Sequence, residues 1–215
     1  MTATQNDTNG DQPSLQPLVD MLAEQMREVN STIIARMDSE VPLIAELGGH
    51  LIAAGGKRMR PLLTLAGAEL VGADSTGREK AIKLATAVEF IHSATLLHDD
   101  VIDESNLRRG RHTANALWGN EASVLVGDFL FARSFELMVE TGNINVLGRL
   151  SNAAARITEG EIKQMAITGA PDTEMDAYLH VITSKTAILF AAAAAAGAEI
   201  GGGSPEDIVT MHDYG

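Results

Sequence analysis

From Leu15 onward the apolar residues return every three or four positions, as in Leu18, Met21, Leu22 and Met26 and again in Ile33, Ile34 and Met37. That is the period of a helix with one face turned to a core, and no stretch of useful length alternates as a half-buried strand would. A chain patterned in this way hides its apolar stripes by packing helix on helix, so the expected fold class is all-α. The pattern predicts helices over residues 15–36, 40–53, 59–71, 78–104, 121–140, 143–169, 173–198 and 205–214. Turn chemistry sets the breaks, at Gly55-Gly56, residues 72–77, Gly110, Thr141-Gly142, residues 169–172 and Gly201-Gly202-Gly203. Ser204, with Pro205 at the first helical position, makes a good N-cap. Residues 1–14 are polar, carry Gly10 and Pro13 and show no apolar period, so a flexible tail is expected there and one helical domain over 15–215.

The charge balance narrows the partners. A formal net charge of −13 from 16 Lys and Arg against 29 Asp and Glu works against nucleic-acid binding, which needs a basic surface to replace phosphate counterions. An acidic chain still binds anions wherever its few cations are gathered. The absence of cysteine removes disulfides, thiolate metal sites and a cysteine nucleophile. No run of about twenty apolar residues stands out, and the start MTATQNDTNGDQPS lacks the basic-then-apolar order of a secretory signal. No stable membrane insertion is expected, and a cytoplasmic location follows by default.

Residues 89–104 are the most informative stretch. At about 100° per residue, His92, Asp99 and Asp103 fall on one stripe of a helix. Asp99 and Asp103 are separated by about 6 Å of helix rise, so their carboxylates repel unless a cation lies between them. Magnesium suits that arrangement, since it takes hard oxygen ligands and is commonly held by one or two carboxylates together with substrate phosphates. A solvated acidic patch at a helix end is the alternative for a lone DDxxD, but Leu96, Leu97, Val101 and Ile102 surround these carboxylates and point to a cleft.

Cations are gathered in residues 55–61, GGKRMRP, at the start of a predicted helix. Exposed backbone N–H groups and the positive helix end favour phosphate, Lys57 adds a point charge and Arg60 can donate paired hydrogen bonds to phosphate oxygens. The loop is not a P-loop, because Arg58 stands where Ser or Thr should follow the lysine. Arg108-Arg109 lies just past the aspartate helix, and Lys185-Thr186 lies in a later apolar segment. Taken singly these residues have plainer readings: a basic loop can be solvated surface, Lys185 can extend its amine to solvent, and His92 can be a satisfied core histidine.

The segments GGKRMRP, HSATLLHDDVID, ESNLRRG and SKT, in this order across residues 55–186, resemble the trans-isoprenyl (polyprenyl) diphosphate synthase family. The resemblance implies an antiparallel helical bundle around a deep central cavity. It also implies that Lys57, Arg60 and His92 bind the diphosphate of isopentenyl diphosphate with help from Arg109, and that Asp99 and Asp103 ligate magnesium while Asp100 completes the acidic cluster. Arg108, Lys185 and Thr186 would contact the diphosphate of an allylic prenyl diphosphate. Glu159-Gly160-Glu161 with Gln164 looks like the family's pattern on a neighbouring core helix, with Gln164 facing the cavity. The implied reaction is ionisation of the allylic substrate, attack on the resulting cation by the double bond of isopentenyl diphosphate, and loss of a proton. It needs no side-chain nucleophile, and a homodimer is expected.

Two further expectations follow from the resemblance. Ala94 and Thr95, in the turn before Asp99, are small where bulky aromatics in the family resemble a floor, which favours a long-chain product; close helix packing is the other reading of small residues there and in the alanine run 191–196. Family members also carry a second aspartate-rich motif on a later helix. The sequence stops before it, so a partial domain lacking its C-terminal helices is expected, with catalysis by this portion alone in question. Two rival functions stand beside an elongating prenyltransferase. A non-catalytic regulatory subunit of a heteromeric synthase would keep the scaffold, and a class I terpene cyclase would also use DDxxD, although a cyclase does not need the second diphosphate pocket that Lys57, Arg60 and Arg109 suggest.

Overall fold

The computed structural model describes residues 14–53, 56–170 and 172–215. Within these residues the helices run α1 (Gln16–Met21), α2 (Ala23–Arg36), α3 (Pro42–Ala53), α4 (Met59–Leu70), α5 (Ser75–Ile102), α6 (Ala114–Trp118), α7 (Asn120–Glu140), α8 (Ile144–Ile167), α9 (Met175–Ile182), α10 (Ile188–Ile200) and α11 (Pro205–Tyr214). A hairpin of two-residue strands, β1 (Leu107–Arg108) and β2 (Arg111–His112), lies between α5 and α6. The expected all-α class is therefore what the chain adopts. The tail expected over 1–14 lies, apart from Ser14, outside the described residues, as does Gly55.

The central helix is α5, which packs against α7, α4, α2 and α10. Its sequence explains the position: Ala81, Ile82, Leu84, Ala85, Val88 and Ile91 crowd all sides of the helix, and such a helix belongs inside a bundle. Asp74 caps it, its side chain accepting from Gly77 N at 2.7 Å, which starts the helix three residues earlier than the pattern suggested. The other end stops two residues short of the expected 104. Asp103 is the C-cap, its N–H still bonded to Asp99 O at 2.8 Å, and Glu104 turns the chain with a positive φ of 50°.

Close packing of α4 on α10 fixes the rest of the core. A Cβ added at Gly197 would sit 2.0 Å from Thr64 O, and one at Gly67 would sit 2.5 Å from Ala194 O, so the two backbones meet without side chains between them. The alanine run 191–196 is buried along this contact. Pattern reading places one helix over 173–198, and the structure interrupts it with a π turn at Thr183–Ala187. The combined run Met175–Ile200 is 26 residues long and, contrary to the sequence expectation, apolar enough to cross a membrane by length and composition; 61% of its apolar window is buried inside the protein, as in a core helix. At the C-terminal end α11 begins with a complete capping box, Ser204 with Asp207, ahead of Pro205.

Candidate active site

The hairpin after α5 shapes one wall of a cleft. Arg109 and Gly110 are its central residues, both with positive φ (53° and 76°), the geometry of a tight two-residue turn whose twist matches the strands it joins. Asn115 ties the hairpin to α5, its side-chain amide donating to Asp100 O at 3.2 Å and Ser105 O at 3.0 Å, and the Thr113 hydroxyl donates to Ser105 O at 2.7 Å. His50 on α3 bonds His112 O at 2.8 Å from the opposite side. Pattern reading missed both the hairpin and α6, since neither is long enough to show a period.

The cleft so formed holds about 570 Å³ between the end of α3, the 56–60 loop, α5, the hairpin and Phe190 of α10. Of the residues singled out in the sequence, Lys57, Arg60, His92, Asp100, Arg108 and Arg109 line it. Their charges are arranged in pairs and stacks. Arg108 donates to the buried Asp100 through Nε and Nη2, the latter at 2.8 Å. The Arg60 guanidinium lies 4.1 Å over the Phe190 ring, and burial lowers its pKa against the opposing pull of Glu89. Burial, reinforced by Arg60, Arg109, Arg108 and Arg58, pushes His92 down to about 3. His92 is thus neutral near pH 7 and adds no further positive charge to the cleft.

The second group of expected residues gathers about two turns further along α5 and does not line that cleft. Lys185, delivered by the π turn, bonds Glu161 of α8 at 2.7 Å and lies 3.7 Å from Asp99. Burial and the neighbouring Glu161 raise Asp99 to about 6, Lys185 opposes them, and Asp103 adds to the rise. Burial alone would lower Lys185, but Glu161 and Asp99 outweigh it and the net direction is up. Asp103 is exposed at the helix end, Thr186 is exposed on the π turn, and Gln164 is half-buried on α8. The π turn also explains Gly160, where a Cβ would press 2.8 Å from Ser184 Cβ. Ala94 has no accessible surface and is part of the core, which is the packing reading of that position, while Thr95 keeps some exposure and donates to His92 O at 2.8 Å.

The acidic group fits a hard divalent cation. Two carboxylates from different helices, Asp99 and Glu161, share one ammonium, and burial beside Glu161 makes the Asp99 carboxylate costlier to ionise, a cost that added positive charge would relieve. Among the described residues no three acids or imidazoles are close enough to enclose a metal by themselves. An ion here would therefore take one or two carboxylates and draw its remaining ligands from water or a bound phosphate. Two residues gain contacts that the sequence pattern does not foretell: Glu161 joins Lys185, and the Arg58 side chain enters the protein to pair with the buried Glu89. A charged residue isolated in an apolar helical run, as Glu89 is, was the available signal.

Comparison with known proteins agrees with this geometry. The profile described as Polyprenyl synthetase matches residues 41–215. An octaprenyl diphosphate synthase of Escherichia coli (strain K12) is 43% identical over 202 residues, 94% of this chain and 62% of that protein. A decaprenyl diphosphate synthase from Rhodobacter capsulatus has the same fold, with a TM-score of 0.90 and 53% identity over 94% of this chain and 61% of that one. A polyprenyl synthase from Caulobacter crescentus CB15, complexed with calcium and isoprenyl diphosphate, gives 0.91 and 50% over 95% and 61%. The chain spans about three fifths of the length of these relatives. Since the matched region holds α3 to α11 and with them both the cation cleft and the acidic group, the chain belongs to the polyprenyl synthetase family.

Proposed function

We propose that the protein is a trans-prenyltransferase that condenses isopentenyl diphosphate with an allylic prenyl diphosphate to a long-chain product. One observation carries this reading: α5 presents His92 to the cation cleft and, about 10 Å further along the same helix, presents Asp99 to the acidic group. Two diphosphates held at successive turns along one face of a rigid helix have their reacting ends in a fixed relation, and that positioning is a large part of what such a reaction needs.

In this reading Lys57 and Arg60 bind the diphosphate of isopentenyl diphosphate, Arg109 assists, and neutral His92 donates a hydrogen bond to it. Asp99 and Asp103 hold magnesium, and Glu161 neighbours them. Magnesium, when bound, supplies positive charge against the diphosphate that leaves the allylic substrate. Lys185, Thr186 and Arg108 orient that leaving group, and Lys185 turns from its carboxylate partners towards it. Asp100 keeps Arg108 in place. Gln164 lines the α8 side of the allylic pocket, and the hydrocarbon tail passes by Thr95, with Ala94 behind it in the core. Calcium with isoprenyl diphosphate in the Caulobacter crescentus relative is consistent with a divalent ion beside such a substrate. The same reading makes the protein a cytoplasmic homodimer, on the strength of the family resemblance.

The test is incubation with labelled isopentenyl diphosphate and farnesyl diphosphate in magnesium. Label appearing in a longer prenyl diphosphate supports elongation. No incorporation by the purified protein, alone or with a copurifying longer chain, sinks the proposal, whereas incorporation only in the presence of such a chain supports the regulatory-subunit alternative.

A further inference from the structure

Glu89 is an acid in a cleft otherwise suited to anions. With Asp100 it supplies the carboxylates that line the space, and Asp100 is committed to Arg108. Glu89 sits one turn before His92 on α5, its side chain 9% exposed, and pairs with Arg58, whose side chain is 17% exposed. By Coulomb's law alone a buried negative charge here repels the ligand, so its presence asks for a compensating role.

The local backbone suggests that role. Arg58 is the N-cap of α4 and adopts a left-handed conformation, φ 48° and ψ 36°, which a non-glycine residue holds only when its surroundings enforce it. Its carbonyl accepts the Leu62 N–H at 3.0 Å and so starts the helix. Its side chain is turned inward to Glu89, while Lys57 on one side is exposed and Arg60 on the other reaches Phe190. We propose that Glu89 is a positioning residue that acts through Arg58, pinning the 56–60 loop so that Lys57 and Arg60 face the ligand together. Burial pushes the Glu89 carboxyl up, and Arg58 is first among the groups that pull it back. The inference rests on the proposed function for its ligand, isopentenyl diphosphate, but the strut itself requires only an anion.

The two physical effects have opposite signs, and that makes the test sharp. If charge dominates, Glu89→Gln removes a repulsive carboxylate and inorganic pyrophosphate binds more tightly. If positioning dominates, binding weakens. Calorimetric titration of the protein with pyrophosphate in the presence of a chelator is expected to show binding about tenfold weaker in Glu89→Gln and in Arg58→Gln, and no weaker than that in the double variant, because both changes cut the same strut. Glu89→Asp should recover part of the loss. In turnover, KM for isopentenyl diphosphate should rise by a similar factor while kcat changes far less. Unchanged or tighter pyrophosphate binding in Glu89→Gln, or losses that multiply in the double variant, would overturn the proposal. Should Glu89→Gln fail to fold, Arg58→Lys decides the matter by the same tenfold criterion, since it keeps the positive charge in the cleft and changes only the fit to Glu89. Absence of elongation by the unaltered protein would count against the proposed function and leave the pyrophosphate result standing.

Discussion

The two charged regions on α5 solve opposite problems. In the cleft the inward-facing acids already have partners, Glu89 with Arg58 and Asp100 with Arg108, and Arg60 rests on Phe190. Around Asp99 the balance is left unfinished: Asp99 and Glu161 share Lys185, and Asp103 adds more negative charge nearby. In the proposed reading the first region is a receptor assembled before its anion arrives. The second is short of positive charge and becomes balanced only when a cation joins it. Preorganisation therefore divides unequally within one helix, and the incomplete half is the half at which leaving-group charge develops in the proposed reaction.

The strongest way to break this contrast is at Asp99. Asp99→Asn should lower magnesium-dependent turnover by about 10²- to 10³-fold while leaving metal-free pyrophosphate binding within a small factor, as read by steady-state kinetics beside calorimetry. Loss of both would mean that the two regions form one receptor. Arg60→Lys should do the reverse: about a tenfold rise in KM for isopentenyl diphosphate, because an ammonium supplies charge but no paired donors and stacks less well on Phe190, with the metal dependence kept. Lys185→Gln sharpens the comparison from the other side. Without the shared ammonium the two acids repel, so the metal-free protein should melt roughly 2–4 °C lower, while the rise in Tm on adding magnesium should grow.

The part of this architecture that sequence made legible is the part that repeats. The period of apolar residues sufficed for α4, α5, α7 and α8 within a few residues, because a long buried stripe leaves little choice of structure. Ser204-Pro205 was readable for the same reason, since a cap is a local device. The hairpin at residues 107–112 was not, because Arg109 and not Asn or Gly occupies its first central position, and tertiary bonds from Asn115, Thr113 and His50 hold it down. Nor was the π turn at Thr183–Ala187, which lies against Gly160 of a helix distant in sequence. Within the site, the DDxxD spacing led to Asp99 and Asp103 as equals on one helix. The fold separates them into a buried acid and an exposed cap, because α5 ends at Ile102. A motif records which residues act together; burial, which differs sharply between neighbours on a helix, decides what each of them does.

That difference in burial gives the two regions opposite responses to acid, whose net effect on the unaltered protein is the smallest among these predictions. His92 falls from 6.5 to about 3 on folding, so the unfolded chain takes up a proton before the native one does, and the stability due to neutral His92 is lost as pH drops below about 6.5. Asp99 rises from 3.8 to about 6, so the native protein takes up its proton first and gains stability as pH falls from about 6 towards 4. At pH 5 each contribution is on the order of 1–2 kcal/mol relative to pH 7, and they nearly cancel. Denaturant unfolding in a chelating buffer should therefore show unequal slopes once either group is removed: Asp99→Asn should lose more stability between pH 7 and 5 than the unaltered protein, and His92→Gln should lose less or gain. Saturating magnesium should imitate Asp99→Asn in this one respect, because a bound cation holds the Asp99 carboxylate ionised and removes its share of the compensation. Parallel pH profiles for all three proteins would show that burial does not separate the two regions, and the contrast between a finished and an unfinished receptor would fall with it.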